Sequence, residues 1–316
     1  MKDVYYRSTL KSGAGIIGSF RYKDVFQIQP SAKSSSIQDG NFIDLEFNDK
    51  YRLNEGLEEK KNYFGQGYGH LDFLKELIAL IQICTNHPCE LYMEQNSIRP
   101  SPQELISGFT EHPNTPFPLT IRKSGVRILN RMNSCQDFIE LQTQTEIFLD
   151  NYFNLDAKTR KRFNVSLFLL QNMRKIILVS VSMGIVGLIS AIENITDFEK
   201  KKRKEKIEKC PSCLQPKYNI TSQFKDFMHK YSEKKFVINN NIKEYYHTEL
   251  EYKEKESDEL ISSFYKRRSK ITHAGDLLEM DRTLSTYSAS EMRLFNEIET
   301  SVRIALFSYL LDFKNK

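Results

Sequence analysis

At 316 residues, with 40% hydrophobic and 28% charged side chains, the chain is long enough for one large domain or two ordinary ones with a real core. Five cysteines, an odd number, and a start, MKDVYYRSTLKSG, that lacks an apolar h-region argue against a secreted disulfide framework and predict a cytoplasmic, reducing location. The formal charge of +5 is mild, so it fits a polyanionic partner without demanding one.

In chain order, FRYKDVFQIQP (20–30) and NFIDLEF (41–47) read as strands, with SAKSSSIQDGN as a loop between them. GHLDFLKELIALIQIC (69–84) reads as a helix with Leu74, Leu77 or Ile78, and Ile81 on one face. CELYMEQ and FPLTIRKS return to strand-like patterns, separated by the proline-bearing stretch from Arg99 to Pro118. Near residue 135 the character changes. SCQDFIELQTQTEIFLDNYFNL and SLFLLQNMRKIILVSVSMGIVGLISAIENITDF read as long helices.

The uncharged run IILVSVSMGIVGLISAI, residues 176–192, falls short of the roughly 20 apolar residues that a membrane span needs. A buried core helix is the expectation, and no membrane partner. A basic connector follows, EKKKRKEKIEK (199–209), with seven cations against three anions. Such runs usually face water, so a solvated helix extension or loop is favoured over a dedicated nucleic-acid patch. CPSCLQPKYNITSQFKDFMHKY reads as a turn and a helix, and DELISSFYKRRSKITHAG as a helix with Gly275 at its stop. SASEMRLFNEIETSVRIALFSYLLDF is the last helix. Ser288 and Glu291 have capping-box spacing, and Phe295, Ile298, Val302 and Tyr309 line one face. The plan is an α+β domain over 1–135 followed by an all-α helical bundle over 136–316.

Two motifs carry less than their letters promise. GAGIIG (13–18) matches G-x-G-x-x-G, but a strand-like segment follows it where a helix is needed, and YYRSTLKS before it is a poor buried parallel strand. The glycines are expected to make a turn or loosen a strand. Cys210 and Cys213 form a CxxC knuckle that supplies two of the four ligands of a structural zinc site. Cys84, Cys89, His229 and His247 are the residues able to complete it, without the compact spacing of a double knuckle.

The stretch FYKRRSKITHAGDL (264–277) is the richest in chemistry. Arg268 follows Ile261 and Phe264 or Tyr265 on the apolar stripe of its helix and precedes Ile271, where a core residue is expected. A cation there should meet a partner or a ligand. His273 lies five residues on, about 140° around and roughly 7.5 Å along a regular helix. With six histidines in the chain, an Arg followed four to six residues later by His is expected about once by chance, so the spacing alone means nothing.

Its surroundings mean more. Tyr265, Arg268, Ser269, Ile271, His273, Ala274 and Gly275 resemble the helical signature of the HEPN superfamily, in its ApeA-like branch. GLISAIENIT, with Glu193, resembles the family's aliphatic helix leading to a Glu, and CPSCLQPKYNITSQFKDF its Cys-rich turn. The resemblance covers roughly 136–316, with Thr272 and Ala274 as departures. It implies a HEPN-like bundle acting as a metal-independent endoribonuclease, in antiviral defence or a toxin system, with no cofactor for catalysis. Arg268 and His273 would be catalytic with Glu193 fixing one of them, and Arg267, Lys270 and Tyr265 would contact RNA. The implied partners are RNA, with transfer RNA as one candidate, and a second copy joined through the helical domain. The 1–135 domain would be sensory or regulatory. A non-catalytic RNA- or nucleotide-binding module on the same fold is the alternative, and an interaction scaffold a third.

Overall fold

A computed structural model describes residues 3–16, 18–31, 41–53, 70–85, 87–92, 104–111, 121–122, 141–142, 144–203, 220–233, 254–283 and 287–313. They fall into two compact units, one ending at Ala157 and the other beginning at Lys158. The first is built on an antiparallel sheet and the second is helical.

The sheet of the first unit is centred on β1 (Tyr5–Ser12) and β4 (Asn41–Asn48). β3 (Phe26–Pro30) pairs with the far edge of β4, and β2 (Phe20–Tyr22) pairs with β3. The other edge of β1 takes up β6 (Glu104–Ile106) along Tyr5–Arg7 and β5 (Cys89–Leu91) along Leu10–Ser12, one after the other. YYRSTLKS, a poor parallel strand by pattern, is thus a central antiparallel one. The expected strand over 20–30 is a hairpin. Lys23 turns the chain at φ +47° and the Val25 amide donates to the Tyr22 carbonyl, 3.1 Å. The turn, Lys-Asp-Val, lacks the glycine that would have marked it.

Period-two alternation divides β4 between two chemistries. Ile43, Leu45 and Phe47 are buried on the face shared with helix α1 (His70–Thr85), where Phe47 meets Phe73 edge-on. Asp44, Glu46 and Asn48 point to the other face. Glu46, wholly buried, accepts from Arg7 at 2.8 and 2.9 Å, from Gln29 at 3.1 Å, and from the Thr110 amide and hydroxyl at 2.8 and 2.6 Å. A buried carboxylate needs donors of this kind. α1 is buried nearly all round rather than along one stripe; even its Glu76 is covered and accepts from the Tyr152 hydroxyl at 2.6 Å. Glycines 13 and 18 serve turns as expected. Gly18 has φ +81°, and a Cβ on Gly13 would strike the Pro88 ring.

β7 (Ile121–Arg122) and β8 (Leu141–Gln142) form a separate parallel pair, and α2 (Thr145–Phe153) follows. The helix expected to run unbroken through 134–155 is therefore shorter, starting after a strand. The division between the units lies after α2, later than the change in sequence character near 135.

The second unit opens with α3 (Ala157–Ile176) and α4 (Val181–Arg203). The chain reverses between them at 177–180, so the run from 176 to 192 straddles a helix break with no Pro or Gly at the turn. Ser180 caps α4 locally, its hydroxyl accepting from the Met183 amide at 3.2 Å, and the cap is completed by Asp281. Its carboxylate accepts from the amides of Val181 and Ser182 at 2.9 and 2.7 Å and from the Ser180 hydroxyl at 3.1 Å, capping α4 from about 100 residues away. Among the described residues one helix, Val181–Lys202, is long and apolar enough to cross a membrane, and 61% of its apolar window is buried inside the unit.

α5 (Ile220–Met228) continues into a wide turn to Glu233. α6 (Glu254–Ala274), the one-turn α7 (Glu279–Arg282) and α8 (Ala289–Leu311) complete the unit. The stripe expected on α8 is buried, and from Ile298 to Leu310 burial extends round the whole helix, making α8 the axis of the bundle. One charge this drives inward, Glu299, is met by Arg174, whose Nε donates to it at 2.5 Å. Close packing of α4 depends on glycine. A Cβ at Gly184 would come within 2.7 Å of the Phe295 ring, and one at Gly187 would overlap Met173.

Candidate active site on helices α4 and α6

The apolar stripe of α6 is seen in Ile261, Phe264 and Ile271, all buried. Arg268 interrupts it, as the pattern predicts. The chain supplies its partner from just past the middle of α4. Glu193 accepts from Arg268 Nη2 through one oxygen and from the Tyr265 hydroxyl through the other, both at 3.1 Å. The pair is mostly covered, with side-chain exposures of 21% for Arg268 and 17% for Glu193. The guanidinium carbon also lies 5.8 Å from the Tyr265 ring centre. One carboxylate thus orients a phenol and a guanidinium one turn apart on the same helix.

Tyr265 is held in turn by Phe224 of α5, ring centres 5.4 Å apart. Burial and the neighbouring Glu193 charge push the phenol above its ordinary pKa, against a hydrogen bond with Thr221 and the Arg268 charge. Tyr265 therefore stays protonated and donating at neutral pH. Arg268 Nε is buried and finds no hydrogen-bond acceptor among the described residues. Its planar fork is bound at one corner only.

His273 lies in the last turn of α6, exposed, with no hydrogen bond to a described residue. No hydrogen bond joins it to Arg268 within one chain. The helix stops where the sequence says: Gly275 adopts φ +65°, and the Asp276 amide donates to the Lys270 carbonyl at 3.2 Å. Thr272 turns its hydroxyl back to the Arg268 carbonyl at 2.9 Å.

The two neighbouring cations differ. Lys270 is exposed and makes no ion pair with a described residue. Arg267 lies between Asp276 at 3.6 Å and Glu291 at 4.0 Å. Glu291 also corrects the capping-box expectation. Its amide donates to Ser288 at 3.4 Å, but its carboxylate turns away to accept from the amides of Glu279 and Met280 at 2.9 and 3.0 Å.

The segment after α6 is thereby clamped from both sides. Glu291 holds the start of α7, Asp281 caps α4, and Ser182 accepts from the Leu278 amide at 2.8 Å. Burial raises the Asp281 pKa, but its hydrogen bonds with Ser182, Val181 and Ser180 outweigh that and hold it below the ordinary aspartate value. Sequence reading passed over Asp281, because its partners are far away in the chain and nothing local marks them.

Cys210, Cys213 and His247 lie outside the described residues. His229, one residue able to complete a zinc set, contacts Asp258 at 3.1 Å. Among the described residues no group of three metal-ligating side chains gathers. The chain matches no family model, no curated protein and no solved structure. The family resemblance therefore rests on the residues of α4, α6 and the segment between them.

Proposed function

We propose that the helical unit is a HEPN-like, metal-independent endoribonuclease whose site is built on Arg268 and His273, with Glu193 and Tyr265 as positioning residues. The observation that supports it most is Arg268: a cation set into an apolar stripe, fixed by Glu193 at one corner, with an exposed histidine at the end of the same helix.

RNA supplies its own nucleophile, so the protein needs only a base, an acid and a phosphate clamp. Neutral His273 accepts the proton of a ribose 2′-hydroxyl. The oxygen attacks the adjacent phosphorus, and the bond to the 5′-oxygen of the next nucleotide breaks. That oxygen takes up the proton that His273 carries, giving a 2′,3′-cyclic phosphate and a 5′-hydroxyl and returning the imidazole to its starting state. Arg268 binds the non-bridging oxygens and offsets the charge that builds on them. Glu193 keeps the guanidinium from swinging into solvent, and the Tyr265 phenol fixes Glu193. Lys270 contacts a flanking phosphate, while Arg267 steadies the end of α6 against Asp276 and Glu291. A second copy docked through the helical unit would bring two Arg268–His273 sets to one cleft, which suits the exposure of His273.

The test is incubation of purified protein with total RNA in excess chelator, with product ends mapped. Wild type should cut and leave cyclic phosphates, while Arg268→Ala and His273→Ala should not. Cleavage that vanishes with chelator, or a His273→Ala protein that cuts as fast as wild type, would end the proposal. Binding without cleavage in every variant would favour the non-catalytic module. A role in antiviral defence or a toxin system predicts growth arrest on overexpression, relieved by His273→Ala.

A further inference from the structure

The basic connector looked like plain solvated charge in the sequence. Folding brings cations that are distant in the chain beside Lys201, near the connector's start. α3 and α4 lie antiparallel. Ser166 donates to the Ala191 carbonyl at 2.6 Å and Asn194 to the Arg162 carbonyl at 2.9 Å, so the start of α3 runs beside the end of α4. Arg162 of α3 and Lys201 of α4 reach the same carboxylate, Asp197, at 3.6 and 2.7 Å. Lys158 is one turn before Arg162 on the same side of α3 and is exposed, as is Lys201. Lys200 is seven residues after Glu193, so it lies on the same face of α4, about 10.5 Å further along.

We infer that Lys200, Lys201, Arg162 and Lys158 form a track for the phosphate backbone of single-stranded RNA, leading away from the Arg268–Glu193 cluster. This deepens the nuclease reading and rests on it for the direction of the track. The argument is charge and spacing together. Lys158 and Lys200 make no ion pair with a described residue, and Asp197 is shared by two cations and neutralises only one. Two helical turns separate Lys200 from the site, a distance that one or two nucleotides of extended chain cover. Lysines on rigid helices read no base, so the track fixes register and strand direction while leaving sequence choice elsewhere.

The experiment uses the full chain carrying His273→Ala, to prevent cutting, with and without Lys158→Gln, Lys200→Gln and Lys201→Gln together. The probe is a fluorescent oligouridylate of roughly 20 nucleotides, with affinity measured against salt. Each lost phosphate contact on a single strand removes about 0.7 from the salt slope, so the triple variant should flatten it by about 2 and weaken binding about tenfold or more at low salt. In an otherwise wild-type chain the same three changes should raise KM for the long RNA and leave turnover of a dinucleotide unchanged. An unaltered slope and affinity in the triple variant, with its thermal unfolding intact, would overturn the track. Binding to anionic lipid vesicles with none to RNA would overturn it too. The two readings fail separately. An unaltered slope beside an inactive His273→Ala leaves the nuclease standing, and a flattened slope beside an active His273→Ala leaves only the track.

Discussion

Removing the charge of Glu193 should be felt through Arg268. The carboxylate and guanidinium are 3.1 Å apart and about four fifths covered. With charge centres roughly 4 Å apart and an effective dielectric near 20, the gross attraction is about 4 kcal/mol. Desolvation of both groups cancels much of it, and hydrogen bonds to charged partners net about 1.5–3 kcal/mol. The residual exposure moves the figure down, to about 1–2 kcal/mol. A double-mutant cycle with Glu193→Gln and Arg268→Met, read by urea unfolding and by hydrogen exchange of the α6 amides, isolates the pair. Each single variant should destabilise and the double should recover about 1–2 kcal/mol of the summed loss. In the cleavage assay Glu193→Gln should lower kcat/KM by about 10- to 100-fold without abolishing it, since a misplaced guanidinium still carries its charge. A coupling under about 0.3 kcal/mol would mean that the contact is a loose surface pair, and the positioning argument would fall with it.

Gly187→Ala and Gly184→Ala gain about 1 kcal/mol of helix propensity, yet each should destabilise the helical unit by about 1–3 kcal/mol, because the new methyl meets Met173 or Phe295. Denaturant unfolding gives the sign, and a stabilised variant would show that α4 packs differently. Glu299→Gln should cost about 3–5 kcal/mol by leaving Arg174 charged and buried, while pairing it with Arg174→Met should recover most of that loss in the same unfolding assay. Asp281→Asn should lower the melting temperature at neutral pH by weakening the cap of α4, a loss of about 1 kcal/mol. The Asp281 pKa is depressed on folding, so its charge stabilises above the ordinary aspartate pKa and the benefit fades as pH falls through the lower folded value. The wild-type advantage over Asp281→Asn should therefore shrink in acid, and an advantage constant with pH would contradict the assignment.

The readable parts of this chain were those set by local period and local stops. α1 and α8 follow from their apolar spacing, and the end of α6 from Gly275, whose positive φ no side chain tolerates cheaply. What escaped was decided by partners far off in sequence. The hairpin at Lys23 lacks a glycine, but Asp24 there accepts from Tyr5 and Asn48, side chains that only the assembled sheet brings near. The α3–α4 reversal has no Pro or Gly, and the local cap from Ser180 is completed by Asp281 from the other end of the unit.

The same asymmetry runs through the candidate site. A lone arginine in an apolar stripe announces that something must meet it, since an uncompensated cation in that place would be costly. It does not say what. Glu193, at the end of an uncharged run, is an ordinary helix carboxylate until α4 and α6 pack and place it 3.1 Å from both Tyr265 and Arg268. His273 is the opposite case. Its position was legible and its contacts were not: it stands exposed past the stripe and makes no hydrogen bond to a described residue. In the proposed nuclease, a base that must approach a 2′-hydroxyl beside an anchored guanidinium would gain from standing clear of that pair, since a histidine tied to Glu193 would compete with Arg268 for the carboxylate that orients it.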